Sequence, residues 1–419
     1  MPTVQAAVLL GPGKMEIREF PKPELAADAI WLKVEYAGVC GTDKHYYEGH
    51  SRLPFEMIAG HEIVGTVAEL GPRANESMTV VGGPLKEGDR VTVAPSSRPC
   101  GKCWFCLNVP TRPMLCPNRI IYGLGNTEKP PYLLGGFAEY VYLHGASYVF
   151  KLADVMPSEL AVLAEPMAPA YRAITRAFPA GLPIHGEGYG PNKSVVVLGA
   201  GTVGLLAIVA FKHTGAGRVI AVDVLDSRLE LARRMGADEL LNAKSTTVAE
   251  RVAAVRELTE GVGCDILFDA AGVPAAFREG LEMVRRGGTV VEVGHFVDTG
   301  GLDLHPHEIL QKDLTIHGSL GYPPLTFREA LALLQATRAP VRDLVTHVFS
   351  LAETEKALQV SGTEGSCKVV IKPQPAITRE DNEASQPRTA HPHLRPPRAA
   401  GSHRRARRDV GDGDARHHP

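Results

Sequence analysis

The chain has 419 residues, which at ~150 residues per domain suggests two or three domains. Hydrophobic residues make up 44% and charged residues 22%, which excludes a wholly disordered or collagen-like polymer. The formal net charge is −2, so the chain as a whole offers no electrostatic case for nucleic acid.

Residues 1–20 lack a basic segment followed by an apolar run, so no secretory signal is expected and the cytoplasm is the default compartment. From Thr3 to about Leu163, β-type runs such as IWLKVEYAGV and GDRVTVAP are separated by Gly and Pro. This texture predicts a mostly antiparallel β domain with few helices. From Pro169 to Ser319 the pattern alternates. Strands are predicted at 195–198, 219–222, 266–268, 290–293 and 314–317, with helices at 202–212, 228–235, 248–259 and 277–284. Such alternation gives a parallel sheet with right-handed crossovers. The uncharged stretch 194–211 approaches the ~18 residues of a membrane span. Gly199, Gly201 and Gly204 interrupt it, which favours a soluble reading. Helices at 327–336 and 354–361 and a strand at 368–371 follow, too short a piece to bury its own core, so it is expected to return to the first domain. The predicted divisions are 1–168, 169–319, 320–373 and a basic tail, 374–419. The tail carries nine Arg against six Asp/Glu and no aromatic residue, so it is expected to be disordered and without a role.

Three motifs carry chemistry. Gly199-Ala200-Gly201-Thr202-Val203-Gly204 follows a predicted strand and opens a predicted helix, with Asp223 at the end of the next strand. The glycines permit a tight turn, close approach to a pyrophosphate and helix–strand packing, and the helix start offers free N–H groups. Asp223 would accept from the adenosine ribose hydroxyls. With an intact acid there, NAD is expected over NADP, although Arg228 sits where it could reach either a ribose hydroxyl or a phosphate. The second motif is Cys100-x2-Cys103-x2-Cys106-x9-Cys116, four thiols suited to a closed, structural zinc site. The third joins Cys40 to His61 and Glu62, a plausible catalytic zinc set with one open position. Singly, each has a plainer reading: Cys40 as a small core residue, His61 as a satisfied core histidine, Glu62 as a surface charge.

Together with GVCGTDKHYYEG, AGHEIVGTV, PCGKCWFC, GGFAEYV, AEPMA and the closing KVVIKP, these motifs resemble the zinc-dependent medium-chain dehydrogenase/reductases. The likeness is strongest to their sorbitol- and threonine-dehydrogenase-like branch, and it spans about Thr3 to Pro373. It implies a GroES-like, mostly β catalytic domain around an inserted Rossmann domain, a doubly wound parallel sheet. It also implies two zinc ions per chain, a homodimer or homotetramer, and hydride transfer from a small-molecule alcohol to NAD. The substrate it suggests is a secondary alcohol or polyol, and no nucleic acid or membrane partner is expected. By position, Cys40 and His61 match catalytic zinc ligands, and Glu165 stands where many alcohol dehydrogenases have a third, cysteine ligand. Either Glu62 or Glu165 would complete the shell. Thr42 and His45 match a proton relay, Asp43 a partner of the ligand histidine, and Lys368 a basic residue contacting the pyrophosphate.

Three features depart from the family pattern. The gap from Cys106 to Cys116 is longer than usual, which predicts a bulged loop. The stretches 75–85 and 181–192 read as loop insertions, and the tail lies past the usual end. A metal-free reductase of the same fold would lack the cysteine loop and the Cys40/His61 pair. A zinc-ribbon module acting on nucleic acid would pair two CxxC knuckles across ~15–20 residues.

Overall fold

The computed structural model describes residues 3–53, 56–178 and 187–373; the tail and much of the stretch 181–192 lie outside them. Ser194–Leu198 (SVVVL) is buried at four of its five positions, as a strand covered on both faces must be. It pairs in parallel with Arg218–Asp223 on one side and Cys264–Asp269 on the other. The six-stranded sheet continues outward through Val284–Glu292 to Thr315–Gly318, and on the opposite flank to Glu239–Asn242. That last strand was not predicted. It is short and only half-buried throughout, so its sequence carries no strong alternation.

The apolar run 194–211 resolves into this central strand, the glycine turn and the helix Thr202–His213, whose residues Gly204–Phe211 are all buried. Among the described residues no helix is long and apolar enough to cross a membrane. The helix is apolar all round because it lies between the sheet and a second helix, Ala164–Arg176, whose buried face joins the same core.

The other sheets lie upstream and at the end of the described chain. Eight strands pair around Ile30–Val39, which takes Glu62–Leu70, Tyr140–Leu143 and Lys368–Lys372 as antiparallel neighbours. Two pairings are parallel within an otherwise antiparallel sheet: Thr79–Val81 with Tyr148–Lys151, and Val345–Ser350 with Lys368–Lys372. A smaller, four-stranded sheet is built on Thr3–Gly11 and Lys14–Pro21. The stretch 75–85 is more than a loop. It holds most of a short helix, Ala74–Ser77, and the edge strand Thr79–Val81. Asn75 exchanges two hydrogen bonds with the Leu85 backbone and closes it.

Candidate active site

Ile30–Val39 ends at Cys40, whose extended backbone starts the short helix Gly41–Tyr47. One Asp43 oxygen accepts from the Cys40 N–H at 2.9 Å and the other from the Gly60 N–H at 3.3 Å. The second oxygen also lies 3.7 Å from His61 Nδ1. Asp43 thus orients His61 and ties together the two segments that carry the candidate ligands. Gly60 has φ +84°, and a Cβ there would meet the Phe137 ring at 2.5 Å, so the turn into His61 accepts only glycine. Glu62 opens the next strand opposite Gly38. A Cβ on Gly38 would fall 1.8 Å from Glu62 Oε2, so that glycine makes room for the carboxylate.

These constraints bring ligand atoms of Cys40, His61 and Glu62 within 4.8 Å of one another. A thiol, an imidazole and a carboxylate converging with partial burial fit a zinc ion with an open position. Although burial opposes it, the charges of Asp43 and Cys40 hold the His61 imidazole well above its usual range. Glu165 enters from the first turn of Ala164–Arg176, buried, with Oε1 accepting from the Tyr322 hydroxyl at 2.8 Å. Burial pushes its carboxyl up to about 7, with His61 opposing and Glu62 reinforcing the shift. Both carboxylates therefore stand at this centre, Glu62 among the converging donors and Glu165 within electrostatic reach of them.

Lys368 requires a correction. Its side chain is buried, and its ammonium donates to Glu62 Oε1 at 2.6 Å, Glu62 Oε2 at 2.7 Å and the Val39 carbonyl at 2.9 Å. All three N–H donors are used, so in this structure it compensates Glu62 and has none left for a pyrophosphate. Glu62 is likewise no surface charge. Its relative exposure is 0%.

The four-cysteine loop closes on itself. Cys103 and Cys106 sulfurs lie 3.4 Å apart, Cys100 and Cys106 3.9 Å, and Cys103 and Cys116 3.9 Å. Thiolates held ~2.3 Å from one tetrahedral zinc would sit about 3.8 Å apart, so the cage fits that ion. The long Cys106–Cys116 interval is taken up by the helix Trp104–Asn108 and the single turn Pro113–Leu115. The side-chain amide of Asn118 donates toward Cys100, and this bond leads the effects that bring its thiol down to about 6.

At the glycine turn, Gly199 has φ +83°, and a Cβ there would lie 2.7 Å from Ala271 Cα. A Cβ on Gly204 would strike the Gly199 carbonyl at 1.9 Å, whereas one on Gly201 would meet nothing within 4 Å. Gly199 and Gly204 therefore serve packing and Gly201 faces open space, as a turn that admits a pyrophosphate must. Thr202 and Val203 begin the helix, and the first N–H groups of a helix are unpaired within it. Asp223 Oδ2 accepts from the Ala200 N–H at 2.7 Å and Oδ1 from the Leu225 N–H at 2.9 Å, which fixes the carboxylate beside the turn. Arg228 Nη1 stands 4.0 Å from Asp223 Oδ2, while Nη2 donates to the Gly362 carbonyl at 3.3 Å.

Of the relay residues, Thr42 Oγ1 lies 3.7 Å from Cys40 Sγ. His45 is one helical turn further, half-buried, with Nδ1 3.2 Å from His50 Nδ1. Sequence reasoning missed Tyr322, the Lys368–Glu62 pair, and Cys367, whose sulfur lies 3.7 Å from Thr202 Oγ1. It also missed Asp269, Glu292 and His295, which converge at the carboxyl ends of two neighbouring strands. No local motif marks these groups, because their partners lie far away in the chain or are juxtaposed only by strand pairing.

Residues 26–154 match the family model of the alcohol dehydrogenase GroES-like domain, and 202–336 that of the zinc-binding dehydrogenase domain. The chain is 30% identical to a sorbitol dehydrogenase of Halalkalibacterium halodurans over 364 residues, covering 87% of this chain and 97% of that one. Its fold is similar to the crystal structure of an alcohol dehydrogenase from Thermotoga maritima, with TM-score 0.81, 29% identity and coverage of 89% and 100% of the two chains. It is also similar to a zinc-binding dehydrogenase from Sinorhizobium meliloti bound to NADP, with TM-score 0.76, 26% identity and coverage of 89% and 100%. The chain belongs to the zinc-dependent medium-chain dehydrogenase/reductases, the alcohol dehydrogenase family.

Proposed function

We propose that this enzyme oxidises an alcohol, a secondary alcohol or polyol, by hydride transfer to NAD. One observation carries the reading: consecutive residues of a single strand edge reach both half-sites. Cys367 touches Thr202 at the start of the dinucleotide helix, and Lys368 holds Glu62 at the converging donors of Cys40 and His61. A dinucleotide whose pyrophosphate sits at the glycine turn would thereby have its nicotinamide end within reach of an alcohol held at the donor cluster, as direct hydride transfer requires.

When bound, zinc would supply a Lewis acid that makes an alcohol hydroxyl acidic, and NAD would supply the hydride acceptor. Cys40 and His61, with Glu62 or Glu165, would hold the catalytic ion, and Cys100, Cys103, Cys106 and Cys116 a structural one. Asp43 fixes the His61 ring. Thr42 offers a hydroxyl beside Cys40 for the substrate oxygen, and His45 takes the proton outward. The polyol preference is supported by Glu165 at the third ligand position and by the sorbitol dehydrogenase relative.

The test is kcat/KM over a panel of alcohols, polyols and amino-alcohols with NAD and with NADP. NAD should win by at least tenfold, because a 2′-phosphate beside the fixed Asp223 carboxylate would cost several kcal/mol. Asp223→Ser should narrow or reverse the ratio. A preference of the unaltered enzyme for NADP, the nucleotide bound in the Sinorhizobium neighbour, would overturn the cofactor assignment.

His45 gives a second expectation. Burial lowers its pKa, as do the charges of His50 and Lys44, with Glu48 opposing, so the ring stays neutral and able to accept a proton to lower pH than an ordinary histidine. His45→Ala should slow oxidation about 10²-fold below neutral pH, and external buffer bases should restore part of the loss. An unchanged pH–rate profile would make His45 a packing residue.

A further inference from the structure

Apart from the metal centre, the described residues hold a concentration of positive charge without a counter-charge. Arg172 and Arg176 project from the last turns of Ala164–Arg176, and Arg112 comes from the segment that precedes Pro113–Leu115. The three arginines line one cavity of about 80 Å³ together with Met114, Ser319 and Leu320. His317, on the adjoining edge strand, sets its Nδ1 3.4 Å from Arg176 Nη2.

Elsewhere in the fold Arg90 is paired with Glu35 and Arg251 with Glu279. Among the described residues no carboxylate pairs with Arg112, Arg172 or Arg176. The cluster is electrostatically uncompensated. Burial and the charges of Arg176 and Arg112 weaken the basicity of Arg172, and burial and Arg112 do the same at Arg176. His317 responds alike, lowered by burial and by both arginines. In addition, Arg176 Nε and Ser319 Oγ are shielded from solvent and have no hydrogen-bond partner. A buried polar group left without a partner destabilises the structure that holds it. Like charges gathered around a cavity lined by unfilled polar atoms are an arrangement that an anion completes.

We propose that this cavity binds the phosphate of a phosphate-bearing small molecule. Guanidinium groups match a phosphate's oxygens two at a time, and three of them exceed what a single carboxylate would neutralise. The volume exceeds the ~10–15 Å³ of one water site several-fold, room for a compact oxyanion. The residues lining the cavity are also near residues of the metal centre along the chain. Leu320 precedes Tyr322 by two residues, and Tyr322 bonds Glu165. Arg172 follows Glu165 by seven residues, or ~10 Å along the helix axis. The phosphate therefore belongs either to the far end of the substrate, a reading that rests on the alcohol oxidation proposed above, or to a separate ion or effector.

The experiment is calorimetric titration of the full-length protein with inorganic phosphate at fixed ionic strength, alongside the Arg172→Gln/Arg176→Gln variant. Unaltered protein should bind phosphate at least tenfold more tightly than the variant, with zinc content and melting temperature alike in phosphate-free buffer. Arg112→Gln, on an exposed side chain, provides a second comparison should the double variant misfold. Equal affinities across these proteins, or no binding to any, would overturn the site. Kinetics then separate the sources. Phosphate competing with a neutral alcohol assigns the cavity to the substrate's own phosphate, and binding without competition assigns it to a separate ligand. The titration reads no turnover, so it stands or fails independently of the oxidation chemistry.

Discussion

Replacing Lys368 with methionine should lower stability by about 3–5 kcal/mol, the usual cost of removing one partner from a buried ion pair. The pair lies out of solvent, with Glu62 at 0% and Lys368 at 2% relative exposure. Without the ammonium, both Glu62 oxygens and the Val39 carbonyl lose their donor together. Denaturant unfolding measures the loss, and Glu62→Gln combined with Lys368→Met should recover much of it. A single variant as stable as the parent would show that the pair does not form in solution.

Cys40→Ala should reduce turnover by about 10³-fold or more at every pH, since the Lewis acid contributes several kcal/mol to the reaction. The fold should survive, because Cys40 lies at a strand end and its backbone bond to Asp43 does not involve the thiol. Metal analysis should fall from two zinc ions per chain to one, the remaining ion held by the four-cysteine cage. Fully active parent protein with one zinc per chain would refute the two-site assignment.

These variants also show how unevenly the molecule could be read from its sequence. The glycine turn, the cysteine cage and Asp223 were legible because the chemistry of each depends on short spacings or on a strand–turn–helix sequence. Cys40 and His61 were legible as a pair through the resemblance. Lys368 was not, because a lysine on a strand declares no partner, and Glu62 is brought to it only because both of their strands pair with Ile30–Val39. Tyr322 was missed for the same reason. The strand Glu239–Asn242 escaped because it is half-buried at every position, and periodicity is a weak signal where neither face is committed. The tail 374–419 was judged on composition, and it lies outside the described residues.

The placement of Lys368–Lys372 against Ile30–Val39 also governs how the protein must be made. Glu62 and Lys368 are 306 residues apart, and at ~5–20 residues per second a ribosome takes roughly 15–60 s to cover that interval. Throughout that time the emerging N-terminal half has an open sheet edge at Ala37–Val39, the part of Ile30–Val39 that the last strand covers, and a carboxylate without its cation. The parallel sheet, drawn entirely from 194–318, has every strand available earlier. The metal centre is therefore completed later in synthesis than the parallel sheet, and a ribosome stalled before Lys368 has emerged leaves the parallel sheet formed beside a donor cluster whose Glu62 has no cation.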